Sequence, residues 1–135
     1  MSDGLRDPAD VAGPLRASLP HVLVGGTLGA AARIALLAVP GLGSGWGVLV
    51  ANVAGALLLG VLFERLAEHR LRRTTTWSLW GPGFLGAFTT FSALAMVSVE
   101  AGRDGSLATG AAYLAVSVAL GLAAARLGRT LGARR

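Results

Sequence analysis

The chain has 135 residues, of which 53% are hydrophobic and only 14% are charged, and its mean hydropathy is +0.63. A soluble domain carries about 25% charged residues, so this composition excludes an ordinary soluble domain and indicates an integral membrane protein. The net charge is +5, every basic residue is arginine, and cysteine is absent, which excludes disulfides, thiolate metal sites and thiol nucleophiles.

The N-terminal residues 1–18 are polar and rich in Asp, Gly, Pro and Ala, which predicts a disordered tail. A signal peptide would instead have its charges followed directly by a short apolar core and a cleavage site. The membrane domain is predicted at 19–128, and a basic C-terminal tail at 129–135. The arginines flank apolar segments and form no separate basic domain, which argues against nucleic-acid binding.

Four apolar segments of the membrane domain each have roughly the 20 residues that a bilayer-spanning helix needs. Aromatic side chains, which favour the membrane interface, lie near their ends at Trp46, Trp77, Trp80 and Tyr113. The sequence therefore predicts one all-α membrane domain with four transmembrane helices. The predicted spans are about 19–39, 46–63, 77–99 and 107–127.

Small residues recur four positions apart within these spans. In lipid, such pairs allow the backbones of two helices to approach closely. The sequence therefore predicts tight helix packing, within one subunit or between subunits. The pairs are Gly25 with Gly29, Ala51 with Gly55, Ala56 with Gly60, and Gly121 with Ala125.

The arginines are distributed unevenly between the two sides of the membrane. With four spans, both tails and the loop at 64–76 share one side, and the opposite side holds Arg103 alone. The positive-inside rule then predicts that both termini are cytoplasmic, in a multi-pass plasma-membrane protein. The arginines of the shared side are Arg6, Arg16, Arg65, Arg70, Arg72, Arg73, Arg126, Arg129, Arg134 and Arg135.

Three polar residues within the spans are candidates for a functional role, and each has two interpretations because polar groups in a bilayer need partners. Arg33 either extends to the interface or lies at a helix–helix contact. Asn52 either makes an interhelical hydrogen bond or directs its amide at an anion. Ser117 either bonds back to its own helix or contributes to a site.

The third span contains the sequence GPGFLGAFTTFS at 81–92, which combines helix breakers with hydroxyl groups. Pro82 removes a backbone donor, and the glycines weaken the helix. Pro82 could simply begin a helix near the surface. The stretch 86–90 is deeper and predicts a break in the middle of the membrane, which is tolerated where the backbone is buried in protein or lines a site.

No set of residues for covalent chemistry is apparent, so the sequence does not indicate an enzyme. His21, Glu64 and Glu100 lie at span ends, and His69 lies in a charged loop. These positions provide neither a nucleophile with a base nor a zinc-ligand cluster.

Three motifs in chain order resemble the CrcB/Fluc family of fluoride channels. They are GGTLGAAAR at 25–33, WGVLVANVAG at 46–55, and GFLGAFTTFS at 83–92. The resemblance covers about residues 20–128. It implies a passive fluoride exporter that forms an antiparallel, dual-topology-type dimer with two pores along the subunit interface. It also implies a structural sodium ion at the dimer centre, held by the main-chain carbonyls of Gly86 and Thr89.

The resemblance further implies a set of pore residues and one structural arginine, Arg33. Fluoride is strongly hydrated, so amide, hydroxyl and aromatic-edge groups must replace its water. The implied pore residues are Asn52, Phe91, Ser92, Leu94, Tyr113 and Ser117.

Two features depart from the family pattern. Leu94 occupies the position of a second pore phenylalanine, and Ala93 and Ala95 replace hydroxyl residues. The strong arginine bias also differs from what a homodimer of opposed subunits requires. Both departures favour one half of a heterodimer with a paralogue, and a homodimer remains the alternative.

Two other functions remain open at this stage. A proton-coupled four-span drug or cation exporter would need a carboxylate buried in the membrane, and neither Glu64 nor Glu100 lies within a span. A non-conducting structural subunit is compatible with Leu94.

Overall fold

The computed structural model describes residues 8–67 and 75–133, which are helical apart from short connections. Side chains are described from Arg16 onward within these ranges, except those of Ser44 and Ala67. The elements are α1 (Pro8–Leu37), α2 (Gly43–Ala67), α3 (Thr75–Ser78), a π-helical segment (Leu79–Leu85), α4 (Gly86–Phe88), α5 (Phe91–Asp104) and α6 (Leu107–Ala133).

Within the described residues, four helical units are long and apolar enough to cross a membrane. The prediction of an all-α fold with four span-length helices is therefore confirmed. The third unit combines α3, the π-helical segment, α4 and α5, and is called the third span below. The units are Arg16–Leu37, Gly45–Leu66, Thr75–Asp104 and Leu107–Ala133.

The ends of the first and last helices differ from the prediction. α1 begins at Pro8, so residues 8–18 are helical rather than disordered, and α6 continues to Ala133. Proline suits the first turn of a helix because the N–H it lacks has no partner there. Residues 1–7, 68–74 and 134–135 lie outside the described residues, and with them Arg6, His69, Arg70, Arg72, Arg73, Arg134 and Arg135.

The first span packs directly on the backbone of the third. A Cβ atom added at Gly25 would overlap the carbonyl oxygen of Leu79, and one added at Gly29 would overlap the carbonyl oxygen of Phe84. The GxxxG motif thus lets α1 contact the third span without intervening side chains. By contrast, a Cβ added at Gly26, one position after Gly25, would lie 4.0 Å from its nearest neighbour, the carbonyl oxygen of Gly83.

The second and fourth spans form a similar contact. A Cβ at Gly60 would overlap the carbonyl oxygen of Ala125, and a Cβ at Gly128 would overlap that of Leu57. Gly121 does not take part, because a Cβ there would meet nothing within 4 Å in the chain. The predicted small pairs therefore bring α2 and α6 together through Gly60 and Ala125, while Gly121 faces away from the other spans.

Few side chains are buried inside the single chain. Among the described residues, no large side chain is buried below 2% exposure, and many leucines and valines are exposed. A soluble core of this size would be unstable, whereas lipid or another subunit covers such a surface at no cost. The buried apolar residues are Val48, Ala51, Leu66, Leu85, Leu94 and Ala124.

The helical geometry of the third span changes twice. Pro82 lies inside the π-helical segment rather than at the start of a helix, and the N–H of Gly86 donates to the carbonyl of Gly81, five residues back. Thr89 (φ −82°, ψ 154°) and Thr90 (φ −150°, ψ 121°) then have extended backbone before α5 begins. These two residues position the candidate site.

Candidate functional site

Asn52 forms a reciprocal pair of hydrogen bonds with the backbone of Thr90. The Asn52 Nδ2 atom donates to the Thr90 carbonyl oxygen at 3.0 Å, and the Thr90 N–H donates to Asn52 Oδ1 at 2.8 Å. Asn52 therefore makes the interhelical bond that was one of its two interpretations. The amide nitrogen carries two hydrogens, and the bond to Thr90 uses one of them.

This pairing changes which backbone carbonyls are free. In a continuous helix the N–H of Thr90 would donate to the carbonyl of Gly86, and that of Ala93 to the carbonyl of Thr89. Here the Thr90 N–H donates to Asn52, and the Ala93 N–H donates to Thr90 Oγ1 at 3.2 Å. The carbonyls of Gly86 and Thr89 therefore both lose their helical donors.

Thr89 is held from two directions. Its backbone N–H and its Oγ1 both donate to the carbonyl oxygen of Leu85, at 3.0 and 2.9 Å. Its methyl group packs on Gly55 of α2, where an added Cβ would overlap it. The side chain of Thr89 thus sets the distance between α2 and the non-helical backbone.

Substitution of Gly55 by alanine is expected to displace Thr89. The β-branched side chain of Thr89 is stiff, and it cannot rotate away without losing its hydrogen bond to the Leu85 carbonyl. We expect a loss of about 1–3 kcal/mol of stability, as for other overpacked contacts. Gly45→Ala on the same helix is the control, because its added Cβ would lie 3.5 Å from Val97, an ordinary contact. Thermal unfolding of the two variants in detergent measures the difference, and equal midpoints would contradict this account.

A groove of about 570 Å³ opens beside this backbone. Six of the predicted site residues line it: Asn52, Gly86, Thr89, Phe91, Leu94 and Ser117. Phe91 is 75% exposed, whereas Leu94 is only 6% exposed within the same subunit.

Ser117 is 4% exposed, and its Oγ has no hydrogen-bond partner among the described residues. Of the two interpretations of Ser117, the bond back to its own helix is not present in the structure.

The remaining predicted residues lie outside the lining of this groove. Tyr113 is one turn before Ser117 on α6, and its hydroxyl donates to the carbonyl of Gly45 at 2.7 Å. Ser92 Oγ is 3.1 Å from Thr90 Oγ1. Arg33 is partly exposed on α1.

Two residues with clear roles were not singled out by the sequence reasoning. Thr90 pairs with Asn52 through its backbone and caps α5 through its side chain. The signal for the cap was available, since threonine is a preferred N-cap residue. Gly55 was noted as one of a small pair and as part of the motif at 46–55, but not for its contact, which is with a side chain of the third span rather than with a helix backbone.

The chain matches one protein-family model and several named proteins. Residues 21–129 match the family model described as CrcB-like protein, Camphor Resistance (CrcB). A protein of Rhodococcus jostii named fluoride-specific ion channel FluC 1 is 43% identical over 114 residues, which cover 84% of this chain and 83% of that protein. A Bordetella bronchiseptica protein named fluoride-specific ion channel FluC is 40% identical over 78% of this chain and 83% of its own length. A Rubrobacter xylanophilus protein named FluC 2 is 38% identical over 90% of this chain and 87% of its own length.

Proposed function

The chain belongs to the CrcB family of multi-pass membrane proteins, and we propose that it is a subunit of a fluoride-specific ion channel that lets fluoride leave the cytoplasm passively. The observation that carries this proposal is the similarity, over most of the chain, to proteins named fluoride-specific ion channels. Those relatives are named as channels, so the proposal is not one of enzymatic activity.

The groove offers the kind of groups that a dehydrated fluoride ion needs. The buried hydroxyl of Ser117, the second N–H of Asn52 and the electropositive ring edge of Phe91 all lie along it. Each can replace a water molecule around a small anion without adding a full positive charge that would hold the ion permanently. We assign these three residues to the pore, with Ser92, Leu94 and Tyr113 along the same path.

The non-helical backbone at Thr89 and Thr90 is proposed to lie within the membrane, as a break in the third span. The carbonyls of Gly86 and Thr89 fit a sodium site because both have lost their helical donors, and main-chain carbonyl oxygens suit alkali cations. A sodium ion bound there would supply a fixed positive charge at the centre of the assembly. Asn52 prepares the site by holding Thr90 away from Gly86.

We further propose that two subunits pack antiparallel across the groove, because Phe91 is 75% exposed in the single chain. The arginine distribution favours one orientation for this chain, with both termini cytoplasmic. An antiparallel partner would then be a paralogue with the opposite arginine bias. A drug exporter is not favoured, because Glu64 already pairs with Arg129 at 3.1 Å near the ends of their helices.

The proposal is tested by fluoride efflux from liposomes that contain either the chain alone or the chain with a co-expressed paralogue of opposite arginine bias. We expect fluoride efflux, without chloride efflux, in at least the second preparation. Efflux from the chain alone would reject the heterodimer and leave the channel function intact. No fluoride efflux from either preparation would overturn the channel function.

Substitution of Phe91 by alanine distinguishes a conducting subunit from a purely structural one. Because Phe91 is exposed and makes little contact within its own subunit, the variant is expected to fold normally. A conducting subunit should lose most of its fluoride efflux, by about tenfold for the loss of one ring contact of about 1.4 kcal/mol. Unchanged efflux with the same partner would instead indicate that this chain does not line the pore.

A further inference from the structure

A second groove lies between α2 and the third span, on a different face of α2 from the first. The first groove is lined by Asn52, Gly55, Ala56 and Leu59 of α2, and the second by Leu58, Val61, Leu62 and Arg65. Each set has the spacing i, i+3, i+4, i+7, which places its members on one helix face. The two faces are therefore distinct stripes along α2.

The second groove is apolar along its length and basic at one end. Its volume is about 290 Å³, and Phe84 and Leu85 form its other wall. Arg65 lies in the last turn of α2, and Trp80 lies near the start of the third span. Since these two spans follow one another in the chain, Arg65 and Trp80 are at the same end of the groove, and Leu58 is about two turns deeper.

The charged end is open to a ligand from outside. Arg65 is exposed, and among the described residues it has no ion-pair partner. The neighbouring carboxylate of Glu64 is engaged with Arg129 of α6. Trp80 is 47% exposed and its ring lies 5.4 Å from that of Phe84, so an aromatic surface continues from the end of the groove toward its interior.

We propose that this groove binds one anionic phospholipid, with its phosphate on Arg65 and one acyl chain between α2 and the third span. A guanidinium group binds phosphate oxygens in a bidentate manner, and tryptophan favours the headgroup level. The apolar side chains of Leu58, Val61 and Leu62 suit a hydrocarbon chain and offer nothing to a hydrated ion. Basic pockets between transmembrane helices are known to take anionic headgroups. This inference does not depend on the proposed channel function.

The test titrates the purified protein in detergent with phosphatidylglycerol or phosphatidylcholine, and counts bound lipids by native mass spectrometry. We expect phosphatidylglycerol to bind more tightly, and Arg65→Gln to weaken its binding about tenfold, as the loss of a charged hydrogen bond implies. Arg126→Gln is the control, since it removes an exposed arginine of α6 that lines a separate depression with Glu64 and Arg129. Binding should remain within about twofold in this variant, because distant surface charges contribute little.

A second variant tests the apolar part of the groove. Leu62→Trp fills the groove and keeps every charge, so it should also reduce phosphatidylglycerol binding. Equal losses in the Arg65 and Arg126 variants would show general charge attraction and would overturn the proposal. Equal binding of the two lipids would also overturn it. A change in dimer fraction without a change in bound lipid would show that a second copy of the chain covers the groove, which equally rejects a lipid site.

Discussion

Replacement of Asn52 by aspartate is expected to reduce fluoride efflux by about a hundredfold or more. Aspartate keeps an acceptor for the Thr90 N–H, but it loses the donor that reaches the Thr90 carbonyl at 3.0 Å. A negatively charged oxygen would then face that carbonyl oxygen, and it would also repel an anion in the groove. The lost bond and the unpaired groups cost about 1–3 kcal/mol each, which corresponds to roughly five- to 150-fold per contribution.

Asn52→Ala separates the two effects, because alanine adds no charge. It releases the Thr90 N–H, which can then donate to the carbonyl of Gly86 and close the helix. We therefore expect Asn52→Ala to lose both efflux and any dependence of thermal stability on sodium. A variant that keeps its sodium-dependent stability would show that Asn52 does not control the free carbonyls.

Ser98→Ala is the matched control for these variants. Ser98 is buried and its Oγ donates to the carbonyl of Leu94 at 2.8 Å, so the variant also removes a buried side-chain hydrogen bond in this region. It leaves Asn52 and Thr90 untouched, and fluoride efflux should stay within about threefold of the original, as expected for one neutral hydrogen bond. A loss equal to that of Asn52→Asp would mean that any weakening of α5 stops conduction.

The helices were predictable to different degrees at their centres and at their ends. Hydropathy located all four spans, because a bilayer imposes a fixed length of apolar sequence. It did not predict that α1 begins as early as Pro8 or that α6 continues to Ala133, because a helix can continue into water after the apolar segment stops. Hydropathy reports the thickness of the membrane and carries no information about where backbone hydrogen bonds end.

The site was predictable as a set of residues but not as an arrangement. Asn52 stood out as an amide within an apolar span, yet its partner Thr90 is 38 residues away in the sequence. That pairing depends on how α2 packs beside the third span, which includes the contact between Gly55 and the methyl group of Thr89. A single sequence indicates which polar groups need partners, whereas the packing decides which partners they find.

The contact between the first and third spans provides the second large effect, and Gly29→Ala is expected to prevent assembly of a stable channel. An added Cβ would overlap the carbonyl oxygen of Phe84 and lie 2.9 Å from its carbonyl carbon. Because both partners are helix backbone, neither can rotate away as a side chain would. α1 must then separate from the π-helical segment, whose position determines where Thr89 and Thr90 meet α2.

Gly26→Ala provides the comparison for Gly29→Ala, because it makes the same change one turn earlier on the same helix. Its added Cβ would be 4.0 Å from the nearest atom, the carbonyl oxygen of Gly83, so the substitution should be neutral or slightly stabilising. We expect Gly29→Ala to lose more than about 3 kcal/mol, since overpacking against rigid neighbours exceeds the usual range. The measurement is the thermal midpoint and the size-exclusion profile in detergent. If both variants elute and unfold alike, the close backbone contact does not hold the third span, and the geometry of the groove must depend on α2 and α6 alone.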